Sequence, residues 1–72
     1  MSVARVIEIS AVSQDSFEDA VRQGVTRASS TLRGVQSAWV KDMNVMLDNG
    51  NITGYKVNLE VTFLLEDSQS LS

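Results

Sequence analysis

The sequence has no cysteine, no histidine and no proline among its 72 residues. Without cysteine there can be no disulfide bond and no thiolate metal site. Without histidine there can be no Ser-His-Asp triad and no imidazole ligand. A chain of this length buries only about 60 % of the surface that it exposes when unfolded. Since neither usual support is available, association with further copies is the remaining means of stabilisation.

Positive charge is also scarce. Six Lys and Arg residues stand against nine Asp and Glu, which gives a net charge of -3, and the cations are scattered along the chain. A nucleic-acid partner is not expected, because phosphate contacts need clustered cations. No apolar run reaches transmembrane length, and Arg5 and Glu8 interrupt the first apolar stretch where a signal peptide would need it continuous. We predict a cytoplasmic protein with no membrane partner.

Catalytic motifs are missing as well. The serines lie in no G-x-S-x-G pattern, there is no histidine base, and no glycine-rich phosphate loop occurs. A Ser37–Lys56 dyad is the one catalytic arrangement that the pattern leaves open. We predict that the protein is not an enzyme.

Hydrophobic periodicity divides the chain into a strand over residues 4–11, a helix over 14–32, and strands over 35–47 and 52–66. The helix carries one apolar stripe, and Gly24 on that stripe indicates either a close approach to the sheet or simple tolerance of glycine. Ser13 is predicted to cap the helix and Gly34 to end it. The order is β-α-β-β, an α+β fold in which one helix packs on one face of a three-stranded antiparallel sheet.

The dipeptide Asn49-Gly50 predicts a type I′ hairpin turn that pairs Asp48 with Asn51. In that register Ala38 and Val40 join the apolar face of the last strand and meet the helix. The opposite face stays open. It is predicted to carry Ser37, Trp39, Lys41, Met43 and Val45 beside Lys56, Asn58, Glu60, Thr62 and Leu64.

An open face of this kind needs a partner. With Trp39 and Leu64 exposed beside free strand edges, a monomer would be prone to association. We expect residues 1–67 to form a single domain, residues 68–72 to form a polar tail, and the domain to assemble as a symmetric homo-oligomer.

The run Tyr55-Lys56-Val57-Asn58-Leu59-Glu60-Val61-Thr62-Phe63-Leu64-Leu65-Glu66-Asp67 resembles the closing strand of the dodecins, Y-x-V-x-L-x-V-x-F-x-L-E-D. The opening strand and both ends of the helix are similar too, from about residue 3 to 67. The resemblance implies a hollow homo-dodecamer that stores or sequesters flavin. It implies FMN or riboflavin stacked between tryptophans at a two-fold interface, where a glutamine binds the polar edge of the ring.

The middle of the chain departs from this flavin pattern. Ser37 stands at the position of the stacking tryptophan, Asn44 at that of an arginine and Lys56 at that of the glutamine. Trp39, two residues on, is either a shifted stacking platform or an aromatic residue of the interface. Lys56 either binds an anionic group or ring carbonyl, or is a solvated or salt-bridged lysine near Asp42 or Glu60. The predicted ligand-binding residues are Ser37, Trp39, Asn44 and Lys56.

Calcium is the alternative ligand, since the resemblance extends to members that are associated with calcium and lack flavin. Oxygen ligands surround the hairpin at Asp42, Asn44, Asp48, Asn49 and Asn51, although the EF-hand spacing is absent. Symmetry also brings copies of Glu8 or Glu60 together if they lie at an axis. Two functions therefore stay open, a flavin-sequestering assembly and a flavin-free assembly with a structural or calcium-binding role.

Overall fold

The computed structural model describes residues 3–65. Its elements are β1 (Ala4–Ser13), α1 (Phe17–Thr31), β2 (Val35–Asp48) and β3 (Asn51–Leu64). The strands form one sheet in the order β1-β3-β2, and β3 pairs antiparallel with both neighbours. The predicted β-α-β-β fold is confirmed. The predicted tail 68–72 lies outside the described residues.

The core lies between α1 and the middle of β3. Small residues of the helix meet branched residues of the strand, and the buried apolar set is Ala20, Ala28, Val57, Leu59 and Val61. Partly buried residues from every element surround this set. The predicted stripe is confirmed at Gly24, where an added Cβ would lie 2.8 Å from Leu59 Cδ1. The helix therefore approaches the sheet closely at its glycine.

The start of the helix differs from the prediction. Ser16, not Ser13, is the N-cap, and its hydroxyl accepts a hydrogen bond from the Asp19 amide at 3.0 Å. Ser13 is the last residue of β1, opposite Tyr55. It cannot also be the N-cap, because the turn to the helix needs two further residues.

The end of the helix is also displaced. The helix stops at Thr31, and Leu32 caps it in an extended conformation. Gly34 has the predicted positive φ, +71°, but lies two residues beyond that cap. Its carbonyl accepts a hydrogen bond from the Leu64 amide, which ties the connection to the end of β3.

The hairpin turn is confirmed. Asn49 and Gly50 have φ values of 51° and 79°, and Asp48 pairs with Asn51. A type I′ turn needs positive φ at both central residues, and an Asn-Gly pair supplies this at low cost. The turn therefore sets the register in which β2 and β3 begin to pair.

Three bulges interrupt the pairing of β2 with β3. One, at Gln36, lies at the far end of β2, and the other two alter the faces of the strand. Thr53 is an extra residue on β3 and Lys41 an extra residue on β2, so the two shifts cancel. Ala38 faces Val61 as predicted, because it lies beyond both bulges. Between them the alternation is inverted, since one extra residue moves later side chains to the other face. The predicted open-face position of Met43 and Val45 is therefore wrong.

The molecule is elongated, with extents of 54 × 18 × 13 Å and a radius of gyration of 14.9 Å. A compact domain of this length has a radius of gyration of about 11 Å. The difference comes from the hairpin. β1 ends opposite Tyr55, and α1 begins at Phe17, whose ring meets that of Tyr55 edge-on with centroids 5.1 Å apart. Neither element accompanies the hairpin beyond this point.

A candidate ligand site on the open sheet face

The sheet face opposite α1, here called the open face, carries all four predicted ligand residues. It consists of Val6, Glu8, Ser10 and Val12 from β1, Ser37, Trp39, Lys41, Asp42, Asn44 and Met46 from β2, and Lys56, Asn58, Glu60, Thr62 and Leu64 from β3. The polar majority explains why the helix packs on the other side.

One end of the open face is aromatic. Trp39 lies opposite Glu60 and Ser37 lies opposite Thr62. The Trp39 side chain is 73 % exposed, the largest exposed fraction among the large apolar residues of the described chain. Strand spacing puts Ser37 about 6–7 Å from it on the same face. The indole therefore offers a flat surface for stacking.

The other end of the open face is polar. Asn44 lies directly opposite Lys56, and it does so because the bulge at Lys41 turns it to this side. A regular strand would have placed Asn44 against the helix. Within residues 3–65, Lys56 forms no ion pair. Of its predicted roles, the salt bridge to Asp42 or Glu60 is therefore wrong, and the solvated lysine and the ligand contact stay open. Its ammonium group is a donor without a carboxylate partner in the described chain.

The two ends do not meet within one chain. Trp39 lies opposite Glu60, and Glu60 is four positions from Lys56 on β3. Four strand residues span about 13 Å. Ser37, opposite Thr62, lies about 20 Å from Lys56 on the same basis. A single copy therefore supplies two half-sites, one aromatic and one polar, and does not form a pocket from all four residues.

The centre of the open face is a hydrogen-bonded polar row. The Asn58 carbonyl oxygen accepts from the Ser10 hydroxyl, and the Asn58 amide nitrogen donates to Asp42. The row crosses all three strands and lies midway between the two half-sites. Because both ends of the amide group are engaged, its orientation is set by its neighbours.

A carboxylate pair lies beside Trp39. Glu8 and Glu60 face each other directly on adjacent strands, and like charges so placed repel. The Lys41 ammonium lies 3.3 Å from Glu8 Oε1. The hydrogen bond and charge of Glu8 raise the pKa of Lys41 above its usual value of 10.5. Lys41 compensates Glu8, while Glu60 has no ion pair among the described residues.

The predicted hairpin oxygens do not converge on a cation. Asp42 binds Asn58, Asn44 pairs with Lys56, and the turn residues Asp48, Asn49 and Asn51 are exposed at the tip. Within residues 3–65, no three Asp or Glu side chains are grouped as metal ligands. The hairpin calcium set is therefore wrong for one chain.

Two clefts flank the helix, and the sequence did not predict them. The larger, here called the β1–α1 cleft, has a volume of about 780 Å³. The smaller, here called the β2–α1 cleft, lies between the helix and β2 and has a volume of about 370 Å³. Small residues on the helix stripe were the available signal, because Gly24 and Ala28 leave its sides unfilled. In the described chain, no helix combines the length and apolar character needed to cross a membrane.

Comparisons with known proteins agree with this geometry. The family model Dodecin matches residues 3–66. A calcium dodecin of Mycobacterium tuberculosis is 32 % identical, with 96 % of this chain and 97 % of that protein covered. The solved dodecin of Streptomyces coelicolor has a TM-score of 0.83 and 34 % identity, with 89 % of this chain and 91 % of that one covered. The solved M. tuberculosis calcium dodecin, described as having a novel calcium-binding site, has a TM-score of 0.79, 34 % identity and the same two coverages. The chain belongs to the dodecin family.

Proposed function

We propose that this dodecin is a non-enzymatic homo-oligomer, a hollow dodecamer, that binds and sequesters a flat small molecule of the flavin class, FMN or riboflavin. One observation carries the proposal: a 73 % exposed Trp39 shares the open face with a polar half-site formed by Asn44 and Lys56. A cytoplasmic location, and the lack of nucleic-acid and membrane partners, stay predictions from the sequence.

Two-fold symmetry completes the site. In an isologous contact, residue i of one copy meets residue j of the other, and j meets i. If two open faces meet about an axis near Asn58, the aromatic half-site of each copy lies over the polar half-site of its partner. Trp39 and Lys56, about 13 Å apart within one chain, then each lie over the other residue type in the second chain. Two equivalent sites result.

The residues present fit a flat, polar-edged ligand. An indole stacks on an aromatic ring, and Asn44 and Lys56 supply donors for ring carbonyls or a phosphate. Flavin supplies a planar ring with a polar edge, and the chain's residues bind and orient it. Glu8 and Glu60 beside Trp39 would repel a phosphate, and the Lys56 ammonium that the second copy brings over this end would offset that repulsion.

Fluorescence titration with riboflavin tests the proposal. Wild-type protein is expected to quench riboflavin at micromolar concentration. Trp39→Ala should weaken binding about tenfold, since aromatic stacking contributes about 1–3 kcal/mol per ring. Trp39→Phe keeps a ring and should retain part of the affinity. Quenching that is absent in wild type, or equal in Trp39→Ala, would contradict the proposed site.

Lys56 provides a second arm of this experiment. Lys56→Gln restores the residue type that the resemblance places there and keeps a donor, so it should bind riboflavin at least as well as wild type. Lys56→Ala should bind more weakly. Equal affinities for the three proteins would remove Lys56 from the site and leave the Trp39 platform standing.

Calcium binding is a second candidate function, favoured by the carboxylates of Glu8 and Glu60. They face each other and one lysine pairs with Glu8, so an added cation would relieve their repulsion. A relative is named calcium dodecin. One chain offers too few ligands for the six to eight oxygens of a calcium site, so the cation would lie where copies meet.

Thermal unfolding with calcium tests this candidate. Calcium at millimolar concentration should raise the unfolding temperature, and chelator should reverse the rise, because a ligand that binds only the folded state stabilises it. Glu60→Gln should abolish the rise. Magnesium, which demands a tighter octahedral site, is the control ion. An unfolding temperature that calcium leaves unchanged would exclude this function.

A further inference from the structure

The hairpin turn contains a dipeptide that is chemically distinct from the rest of the chain. Asn49 precedes Gly50, whereas the other three asparagines each precede a branched apolar residue. Those pairs are Asn44-Val45, Asn51-Ile52 and Asn58-Leu59. A side chain on the following residue crowds the backbone nitrogen next to the asparagine, and glycine leaves that nitrogen open. Asn49 is therefore the asparagine whose side-chain amide the backbone can most readily attack.

The turn is exposed to solvent. Asn49 and Gly50 are both exposed, and a Cβ built on Gly50 would meet no atom within 4 Å. The ladder of β2 and β3 ends at the pair Asp48 and Asn51, so strand pairing leaves the Gly50 nitrogen unengaged. Within residues 3–65, no packing therefore shields this nitrogen from water or base.

We propose that Asn49 is a site of spontaneous deamidation, and that opening of the hairpin end limits its rate. In this reaction the Gly50 backbone nitrogen attacks Cγ of Asn49, and its proton passes through water to the side-chain nitrogen. The bond from Cγ to that nitrogen breaks, ammonia leaves, and a cyclic succinimide remains. Water then adds to either carbonyl of the ring, which opens to aspartate or to isoaspartate. The only co-reactant is water.

The native turn holds the reacting atoms apart. In a type I′ turn, ψ of the first central residue is about +30°, which directs the Gly50 nitrogen away from the Asn49 side chain. Ring closure needs the backbone to rotate, so the turn must open first. β1 ends opposite Tyr55 and α1 begins at Phe17, level with it, so neither element extends along the hairpin beyond that level. Few contacts outside the hairpin therefore oppose a local opening.

The two products affect the turn differently. Aspartate leaves the backbone unchanged, and Asp-Gly is itself a favoured type I′ pair. Isoaspartate adds a methylene group to the main chain, so the two-residue loop that pairs Asp48 with Asn51 no longer fits. Either product places a new negative charge next to Asp48. We expect isoaspartate to fray the hairpin end and aspartate to leave it intact.

Peptide mapping of the aged protein tests the proposal. The purified protein is incubated in mildly alkaline buffer, since the attacking nitrogen must lose its proton. Trypsin then releases residues 42–56 by cleavage after Lys41 and Lys56, and this peptide also contains Asn44 and Asn51 as internal controls. Electron-based fragmentation should locate the mass gain at residue 49 and identify isoaspartate there. No gain at residue 49, or an equal gain at Asn51, would overturn the proposal.

Two glycine variants test the role of hairpin opening. Leu47 lies next to the turn and pairs with Ile52. Leu47→Gly should loosen the hairpin end and speed deamidation about threefold or more, because glycine weakens a strand. Leu64→Gly makes the same change at the opposite end of the sheet and should leave the rate unchanged. Circular dichroism establishes that both variants are folded.

Unfolding in urea provides the reference rate. The turn is then open in every chain, so residue 49 of the wild type should deamidate faster than in the folded protein. Equal rates in the two glycine variants, or no acceleration in urea, would overturn the role of hairpin opening.

Two variants at residue 49 identify the consequence for the turn. Asn49→Gly keeps a favoured type I′ pair and removes the side-chain amide, so residue 49 should show no mass gain. Freshly prepared Asn49→Asp carries the charge of the product without the longer backbone. Hydrogen exchange of the Asn51 amide should be faster in the aged wild type than in either variant. Equal exchange in aged and fresh wild type would overturn the predicted fraying.

Discussion

At the scale of single residues, Ser13 organises the passage from β1 to α1. Its side chain is 3 % exposed. Its hydroxyl donates to Asp19 Oδ2 at 2.6 Å and accepts from the Asp15 amide at 2.9 Å. The bond from Ser13, with a second from Gln23, lowers the pKa of Asp19 below 3.8. A buried hydroxyl therefore stabilises a surface carboxylate at the helix start.

Ser13→Ala is expected to lower the free energy of unfolding by about 1 kcal/mol, because the Asp15 amide and the Asp19 carboxylate each lose a hydrogen bond but stay within reach of water. The loss should depend on pH. The pKa of Asp19 is lower in the folded protein than in the unfolded chain. The resulting stabilisation is therefore fully present above the unfolded pKa and is lost as the pH falls through the folded pKa. Denaturant unfolding at fixed protein concentration, over roughly pH 5 to pH 2, measures the loss of unfolding free energy and its dependence on pH.

The acid dependence provides the control. Ser13→Ala should lose less stability than wild type as the pH falls below 3.8, because the main cause of the Asp19 shift is removed. Asp19→Asn, which cannot ionise, should flatten the curve further. Parallel acid curves for the three proteins would show that this network does not contribute.

At the scale of elements, Gly24 sets how closely the helix lies on the sheet. A Cβ at this position would meet Leu59 Cδ1 at 2.8 Å and Ala11 Cβ at 3.3 Å. Leu59 is fully buried, so its side chain would have to shift within the core to admit that Cβ. Ala11 lies on the β1 side and also lines the β1–α1 cleft. The glycine therefore serves packing and not the backbone.

Gly24→Ala tests this packing through two opposed effects. Helix propensity favours alanine by about 1 kcal/mol, whereas overpacking a filled core costs about 1–3 kcal/mol. We expect a net loss of up to about 2 kcal/mol in the free energy of unfolding. Thr26→Ala, on the exposed side of the helix, gains propensity alone and should be neutral or slightly stabilising. A more stable Gly24→Ala would contradict the close approach.

At the scale of the whole molecule, the fold of one copy has little interior. The buried apolar set consists of three branched side chains and two alanines within the described residues. Exposed apolar side chains lie at both ends of the sheet, Trp39 on the open face and Leu47 near the hairpin turn. Association covers both, so the stability of a copy depends on its neighbours.

Dilution tests this dependence. The unfolding temperature should rise with protein concentration, because association stabilises the folded state by mass action. Analytical ultracentrifugation from nanomolar to micromolar concentration should show dissociation together with loss of structure. A folded single copy at the lowest concentration would contradict the claim that the fold depends on association.

Local chemistry was sufficient to predict the elements and the turn. The Asn49-Gly50 turn, the period of the helix stripe and the alternation of β3 each depend on neighbours within a few residues, and each is confirmed. The close approach at Gly24 was one of two interpretations that the sequence left open, and the distance to Leu59 decided between them. The order of the elements and the side of the sheet that receives the helix therefore follow from local sequence patterns.

Tertiary structure alone decided the faces of β2. A bulge depends on how two strands share hydrogen bonds and twist over their whole length, and no short motif marks Lys41 or Thr53 as the extra residues. That choice turned Asn44 toward Lys56 and Met43 toward the helix side. It created the polar half-site on one face and put Met43 and Val45 on the other, because one extra residue moves each side chain up to the next bulge to the opposite face.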